Sequence, residues 1–413
     1  MSGVKIVSTI GPATESEDII RALVQAGTDV ARLNGAHGDL GWHTRTIARL
    51  RSAAPQVPIM LDLPGTKIRT SRLQYEPRVT RGERIILTSD LTHDGRVKVP
   101  MSDGRLVDLV APGSTILADD GHLRFTVQEV IGGDIACLAE TDGTLGSRKG
   151  LHVLGVSTQS AMLTDTDRSL LAFAKDQGVD FVGVSGAQDA RHVETVRATI
   201  GQTAPRVIAK IESPRGLDHL PEILEVSDGI MIDRGDLALE AGSSNISLLQ
   251  KRIVASARKA GRPVIVATEM LHSMTRHSVP TKAEVSDITN AVLDGASTVM
   301  LSAETAIGRF PIEAVSTIRG IVESAVAHLQ STLDHHGDPH DHSSIPQAMG
   351  DAIALLCRRL PVTQIVAVTR GGYAARMIAA QMPRQPILAV SDHPIAARSF
   401  QLLPGTEGLS VNL

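Results

Sequence analysis

The stretch Arg206-Val-Ile-Ala-Lys-Ile-Glu212, followed by Gly229-Ile-Met-Ile-Asp-Arg-Gly-Asp236, decides the fold. Each is an apolar run of strand length that ends abruptly in charged residues. A strand without polar alternation is one covered on both faces, as in a parallel sheet wrapped by helices. Working outward, six more such runs occur, at 4–10, 29–33, 58–63, 181–186, 263–268 and 298–302. Helically patterned segments lie between most of them, for example 15–26, 164–177, 190–200 and 246–260. Ala26-Gly27 and Ala260-Gly261 read as helix C-caps. Eight strands alternating with helices predict an α/β fold, a closed (β/α)8 TIM barrel. A doubly wound open sheet is the alternative, weakened by the lack of a Gly-x-Gly-x-x-Gly after the first run.

The alternation breaks once. The barrel is assigned to 1–70 and 151–330, and 71–150 carries short alternating strands at 83–89, 96–100, 123–130 and 135–141. Turn signals separate them at Asp94-Gly95, Asp103-Gly104, Asp120-Gly121 and Gly132-Gly133. This predicts a small inserted β-barrel in a βα loop, at the mouth where a lid is useful. Residues 331–344, with His335, His336, His340 and His342, read as a solvated linker rather than a metal site. Residues 345–413 read as a shortened C-terminal α/β domain, with strands at 364–369 and 386–390 and a helix from Tyr373.

A chain of 413 residues has room for two or three domains. A net charge of -4 supplies no basic field for nucleic acid or an anionic membrane. No run approaches the roughly 18 apolar residues of a membrane span, and the N-terminus lacks a signal-peptide pattern. Cys137 and Cys357 are the only cysteines and neither has a CxxC neighbour, so a reducing, cytoplasmic setting is expected.

Functional groups in such barrels gather at the C-terminal strand ends. There the sequence offers Arg32 and Asn34, Asp62, Ser185, Lys210 and Glu212, Asp233 to Asp236, Thr268 and Glu269, and Ser302 to Glu304. So many polar groups converging in an ordinary core would be costly; around a ligand they make sense. Lys210 and Glu212, two apart on a strand, face the same way, and Asp236 comes from the next strand. Two carboxylates and an ammonium suit a magnesium ion bridging an oxyanion, with the lysine stabilising charge on a transferring phosphoryl group. A structural Lys–Glu–Asp ion-pair cluster is the competing reading.

The wording of the chain resembles the pyruvate kinase family. The resemblance is carried by 5–12, Ala31-Arg-Leu-Asn34 with His37-Gly38, Ile68-Arg-Thr70, Gly146-Ser-Arg-Lys-Gly150 and Lys210-Ile-Glu212. It continues through Ser227-Asp-Gly-Ile-Met231, Arg234-Gly-Asp-Leu237, Pro280-Thr-Lys-Ala-Glu284, Ser286-Asp287 leading to 290–296, and Glu304-Thr-Ala306. It implies phosphoryl transfer between phosphoenolpyruvate and ADP with Mg2+ or Mn2+, and a homo-oligomer, dimer or tetramer. It implies Lys210, Arg32 and Thr268 as catalytic residues and Glu212 and Asp236 as metal ligands. Asn34, His37, Arg69 and Lys149 fall where the family handles nucleotide phosphates.

Departures from the family pattern cluster. The family's monovalent-cation serine is Ala36 here, although Asn34 and Asp62 match. A family glutamate is Lys67, whose ammonium would substitute for the ion, so no K+ requirement is expected. In the acid pocket (Ser185, Gly186, Asp233, Gly235, Glu269), a Phe is Gly186, an Ala is Asp233 and a Gln is Glu269. Two like charges about 4 Å apart cost about 4 kcal/mol at an effective dielectric of about 20, on the order of a thousandfold in affinity. Asp233 would therefore repel the substrate carboxylate unless protonated or turned away. That leaves open a repurposed relative acting on a larger or cationic 2-oxo acid, or drift with local compensation.

Overall fold

The computed structural model describes residues 3–119, 121–154, 156, 163–201, 205–332 and 345–411. The histidines at 335, 336, 340 and 342 lie outside the described residues. Eight parallel strands close a barrel: β1 (Lys5–Thr9), β2 (Val30–Asn34), β3 (Ile59–Asp62), β4 (Phe181–Val184), β5 (Arg206–Ile211), β6 (Gly229–Asp233), β7 (Val264–Ala267) and β8 (Thr298–Leu301). Each pairs with its neighbours in sequence, and β8 closes on β1 with Lys5 opposite Thr298. All eight expected runs are strands: six are trimmed by a residue or two at their ends, β5 matches its run, and β2 lies one residue further on.

The helices start where the sequence offers a cap. Ser16, Asp39, Thr164, Asp189 and Thr281 each accept a first-turn backbone N–H, and Thr164 and Thr281 form reciprocal capping boxes with Asp167 and Glu284. The helix Pro311–Thr332 runs two residues into the stretch expected as linker. No helix among the described residues is long and apolar enough to cross a membrane.

Inside the barrel, Val7, Val30, Met60, Phe181, Ile208, Met231, Ile265 and Met300 form one apolar layer, one residue per strand. Side chains alternate along a strand, so the position two residues on faces inward again. Those positions are Thr9, Arg32, Asp62, Gly183, Lys210, Asp233, Ala267 and Ser302. The core becomes polar within about one pleat, and that step separates scaffold from site.

Between β3 and β4 a six-stranded sheet runs in the order Leu151–Val153, Thr115–Ala118, Leu123–Ile131, Asp134–Ala139, Arg84–Thr88, Val99–Pro100. Its two edges meet on one short segment: Arg69 bridges Gly150, and Thr70 bridges Met101. The sheet thus wraps around its own core of Phe125, Leu87, Ile116 and Cys137 and closes through residues 69 and 70. Sequence reading missed Thr115–Ala118 and Leu151–Val153, which are too short to show alternation. It also overextended 96–100, of which only Val99–Pro100 pairs.

The C-terminal residues form a three-stranded parallel sheet, Ile365–Val368, Ile387–Ser391 and Thr406–Ser410. The last of these was not among the strands read from the sequence. Leu402 enters the barrel's inner layer from below and its carbonyl accepts the Thr298 hydroxyl, so this unit seals the N-terminal end.

Candidate active site

At the opposite end, a cavity of about 510 Å³ opens over the polar layer. Arg32, Asn34, Asp62, Lys67, Arg69, Ser185, Lys210, Asp233, Gly235, Asp236, Thr268 and Glu269 all line it. Of the other expected residues, Glu212 lies beneath it, fully buried, and Gly186 touches Glu212; His37 and Lys149 stand outside its wall.

Contacts run across the cavity floor as one chain. The Arg32 guanidinium donates to Thr9 Oγ1 at 3.0 Å and to Asp62 Oδ2 at 2.9 and 2.8 Å. Lys210 Nζ sits among Glu212 Oε1 at 2.9 Å, Asp233 Oδ2 at 3.2 Å, Ser185 Oγ at 3.2 Å and Asp62 Oδ2 at 3.6 Å. Lys67 Nζ spans Glu212 Oε1 at 3.0 Å and Asp236 Oδ2 at 2.5 Å. His152 Nε2 lies 3.5 Å from Asp236 Oδ1.

Two glycines make this packing possible. A Cβ on Gly183 would stand 2.1 Å from Asp62 Oδ1. Gly186 has a φ of 61°, which turns its N–H onto Glu212 Oε2 at 2.8 Å. The expected loss of an aromatic wall at Gly186 is therefore also the gain of a backbone donor.

Burial and charge oppose each other here. Burial works against the Lys210 ammonium, but Glu212, Asp233 and Asp62 outweigh it and raise its pKa. Burial likewise opposes the Asp233 carboxylate, but Lys210, then Lys67, hold its pKa well below the usual range. Asp233 lines the cavity with its Oδ2 turned onto Lys210, whose ammonium answers its charge. Burial pushes Glu212 up, against Lys210 and Lys67. One turn beyond Asp236, Glu240 is pushed up to about 7 by burial, then by Asp236 and Glu212. Sequence reading gave no warning of Glu240.

Lys67 is not where the cation-substitution argument put it. None of its ion pairs is with Asp62, which is taken by Arg32 and Lys210; Lys67 sits on Glu212 and Asp236. Its ammonium stands in for a cation between the two carboxylates read as metal ligands. Glu212, Asp233 and Asp236 each offer an oxygen within 4.8 Å of the others. An all-oxygen, carboxylate-rich set next to a seated cation fits a hard divalent ion.

The far wall is strained. Thr268 and Glu269 have φ of 67° and 55°, a conformation side-chain-bearing residues avoid at about 1–3 kcal/mol each. Arg234 holds them there. Its guanidinium donates to the carbonyls of Thr268 at 2.7 Å and Glu269 at 3.3 Å, and pairs with Asp287 at 2.6 Å. The Thr268 hydroxyl accepts the Gly235 N–H at 3.0 Å. This clamp was not anticipated from sequence, although Arg234 and Asp287 stand in stretches quoted above.

The phosphate-handling set is only partly gathered. Arg69 reaches the cavity, and its guanidinium donates to the Arg148 carbonyl. Burial, then Arg69, Arg148, Arg32 and Lys149, lowers the pKa of His37. Lys149 is tied instead to Asp119 at 2.6 Å. His122 from the inserted sheet and His272 also line the cavity and were missed.

Residues 1–315 match the family model "Pyruvate kinase, barrel domain", and 347–412 match "Pyruvate kinase, alpha/beta domain". The chain is 38% identical to pyruvate kinase 2 of Synechocystis over 98% of its length and 70% of the relative's. It is 37% identical to the pyruvate kinase of Clostridium perfringens over 97% of its length and 87% of that protein's. Among solved structures, a pyruvate kinase from Cryptosporidium parvum superposes with a TM-score of 0.87 at 31% identity, covering 100% of this chain and 88% of that one.

Proposed function

The chain belongs to the pyruvate kinase family, and from that premise we propose that it transfers a phosphoryl group between phosphoenolpyruvate and ADP. The observation that carries this reading is Lys210 Nζ at the cavity floor, among Glu212, Asp233 and Ser185 and beside the Glu212–Asp236 pair. The repurposed-relative alternative is not favoured by the full-length likeness to pyruvate kinases, and the repulsion that motivated it is muted by the Asp233–Lys210 pair.

In this reading Lys210 neutralises charge on the transferring phosphoryl group and on the enolate. Arg32, locked by Asp62 and Thr9, presents a fixed guanidinium to the phosphoryl oxygens. Glu212 and Asp236 would hold Mg2+ or Mn2+, which when bound supplies Lewis-acid polarisation of enol-acid and phosphoryl oxygens. Thr268, fixed by Gly235 N–H and the Arg234 clamp, stands on the side from which the enolate is protonated. Ser185, Gly186, Gly235 and Glu269 shape the acid pocket. Arg69, with Asn34, His37 and Lys149 nearby, receives the nucleotide phosphates under the inserted sheet. Lys67 brings an internal ammonium to the mouth of the barrel, which supports turnover without K+. The expected assembly is a cytoplasmic homo-oligomer.

Pyruvate formation from phosphoenolpyruvate and ADP with Mg2+, with and without K+, tests this. Turnover without K+ that is abolished in Lys210→Met supports it. A folded protein that makes no pyruvate under either condition sinks it.

A further inference from the structure

Asp233 departs from the family pattern, and its geometry gives it a use beyond pairing with Lys210. The residue is only 7% exposed. Its Oδ2 faces Lys210 at 3.2 Å, while its Oδ1 accepts no hydrogen bond from any described residue. Asp233 lines the cavity wall with Asp236, above the buried Glu212, and a carboxylate oxygen with no donor of its own there suits a hard divalent ion. Glu212, Asp233 and Asp236 place one oxygen each within 4.8 Å of the others. Oxygens held by one small divalent ion at about 2.1 Å are up to about 4.2 Å apart, so the set needs to contract by less than about 1 Å.

Charge balance points the same way. Along the floor, the carboxylates of Asp62, Glu212, Asp233 and Asp236 face the cations of Arg32, Lys67 and Lys210. One negative charge is in excess. Exchanging the single charge of Lys67 for a divalent ion cancels it; adding an ion without Asp233 would leave the floor positive.

We propose that Asp233 is a third protein ligand of the divalent cation in this chain, beside Glu212 and Asp236, and that the ion takes the place of the Lys67 ammonium. The proposal rests on the metal seat named above and adds a ligand that the two-carboxylate pattern lacks. A floor carrying an extra acid and an internal ammonium keeps its balance only when the ion is tied to both changes. The ion enters as Lys67 leaves, and Asp233 turns its open oxygen to it while keeping the other near Lys210.

The test is Mn2+ binding to the full chain without substrate or nucleotide, followed by electron paramagnetic resonance, with coordinated waters counted by electron–nuclear double resonance. An octahedral ion with three carboxylate oxygens keeps about three waters, and one with two keeps about four. Wild type is expected to show the lower count. Asp233→Ala is expected to bind Mn2+ at least about tenfold more weakly and to gain one water, with an unchanged circular dichroism spectrum. Equal affinity, or weaker binding with the water count unchanged, overturns the proposal, because Asp233 then acts on Lys210 alone or only through its field. The wild-type count decides the question even if the variant does not fold. Glu212→Gln and Asp236→Asn separate the two readings: if they too leave Mn2+ binding intact, the metal seat itself is misplaced.

Discussion

The two ends of one barrel use the same residue type in opposite ways. At the closed end Asp29, Asp180 and Asp228 each stand just before a strand and accept a neighbouring strand's backbone N–H, from Ile6, Ile59 and Val207. Arginines complete each acid: Arg319 on Asp29, Arg51 and Arg398 on Asp180, Arg197 and Arg206 on Asp228. At the open end Asp62, Asp233 and Asp236 take no backbone N–H among the described residues and answer only to side-chain cations. An acid tied to the backbone cannot change partners without breaking a strand. An acid held by a lysine can trade it for a ligand. The difference separates aspartates that hold the fold from aspartates that serve chemistry; Glu212, bound both by Lys210 and by the Gly186 N–H, stands between the two.

The largest effect that would sharpen this contrast is at the mouth. Lys210→Met removes the cation shared by Asp62, Glu212 and Asp233. Its kcat should fall by about a thousandfold, equivalent to about 4 kcal/mol of barrier, in single-turnover assays on protein whose fold is checked by circular dichroism. A variant that keeps more than a tenth of wild-type kcat would strip the mouth of its assigned chemistry. At the floor of the barrel the converse holds. Leu402→Ala opens a void beneath Phe181 and Ile265 and should lower unfolding free energy by about 2–4 kcal/mol, read by urea titration. Its kcat should stay within about twofold, since a twofold change is only about 0.4 kcal/mol of barrier. A large kcat loss with unchanged stability would mean that the two ends are not separable.

Much of this was legible in the sequence, for a physical reason. Strands covered on both faces read as nearly continuous apolar runs, as most of the eight did, so the polar residues at their C-terminal ends announced the mouth. Lys210, Glu212, Asp62 and Asp233 were found this way. What could not be read is which charges meet. Lys67 and Glu212 are 145 positions apart, and only the closed barrel sets an ammonium on that carboxylate instead of beside Asp62. His152 and Glu240 were invisible for the same reason. The closed-end acids did leave a trace, in Gly27-Thr-Asp29, Gly178-Val-Asp180, Ser227-Asp228 and Gly295-Ala-Ser297 ahead of β2, β4, β6 and β8. Ser297 plays the same part, its hydroxyl oxygen accepting the Val264 N–H. That recurring pattern was the missed signal. The strand Thr406–Ser410 escaped because Gly408 and three polar residues dilute it.

A smaller effect probes the charge at the mouth. Lys67→Glu restores the acid found in the family pattern and removes the internal cation. Without K+ its turnover should fall by about tenfold to a hundredfold, or about 1.4–2.7 kcal/mol, and added K+ should recover it. Equal rates in both ions would detach Lys67 from any monovalent-cation role and leave only its contact with Glu212 and Asp236.

The finest test compares two closed-end acids whose environments pull in opposite directions. Burial opposes the Asp228 charge, but Arg197 and Arg206 outweigh it and hold its pKa below the usual value. Its folded pKa lies below its unfolded one, so its contribution is present above the unfolded value of about 3.9 and fades as pH falls through the folded one. Asp228→Asn keeps an acceptor for the Val207 N–H but loses the charge. It should cost about 1–2 kcal/mol at pH 7, with the difference from wild type shrinking toward about pH 3. Asp180 behaves oppositely: burial is the dominant influence and raises its pKa despite Arg51 and Arg398. Its charge is therefore a burden that grows as pH rises through its folded value, and Asp180→Asn should be neutral or stabilising at pH 7. Urea midpoints of both variants between pH 3 and 7 check the pair. If both lose stability alike with the same pH slope, the arginines add nothing beyond the N–H bond, and the closed end is held by backbone contacts alone.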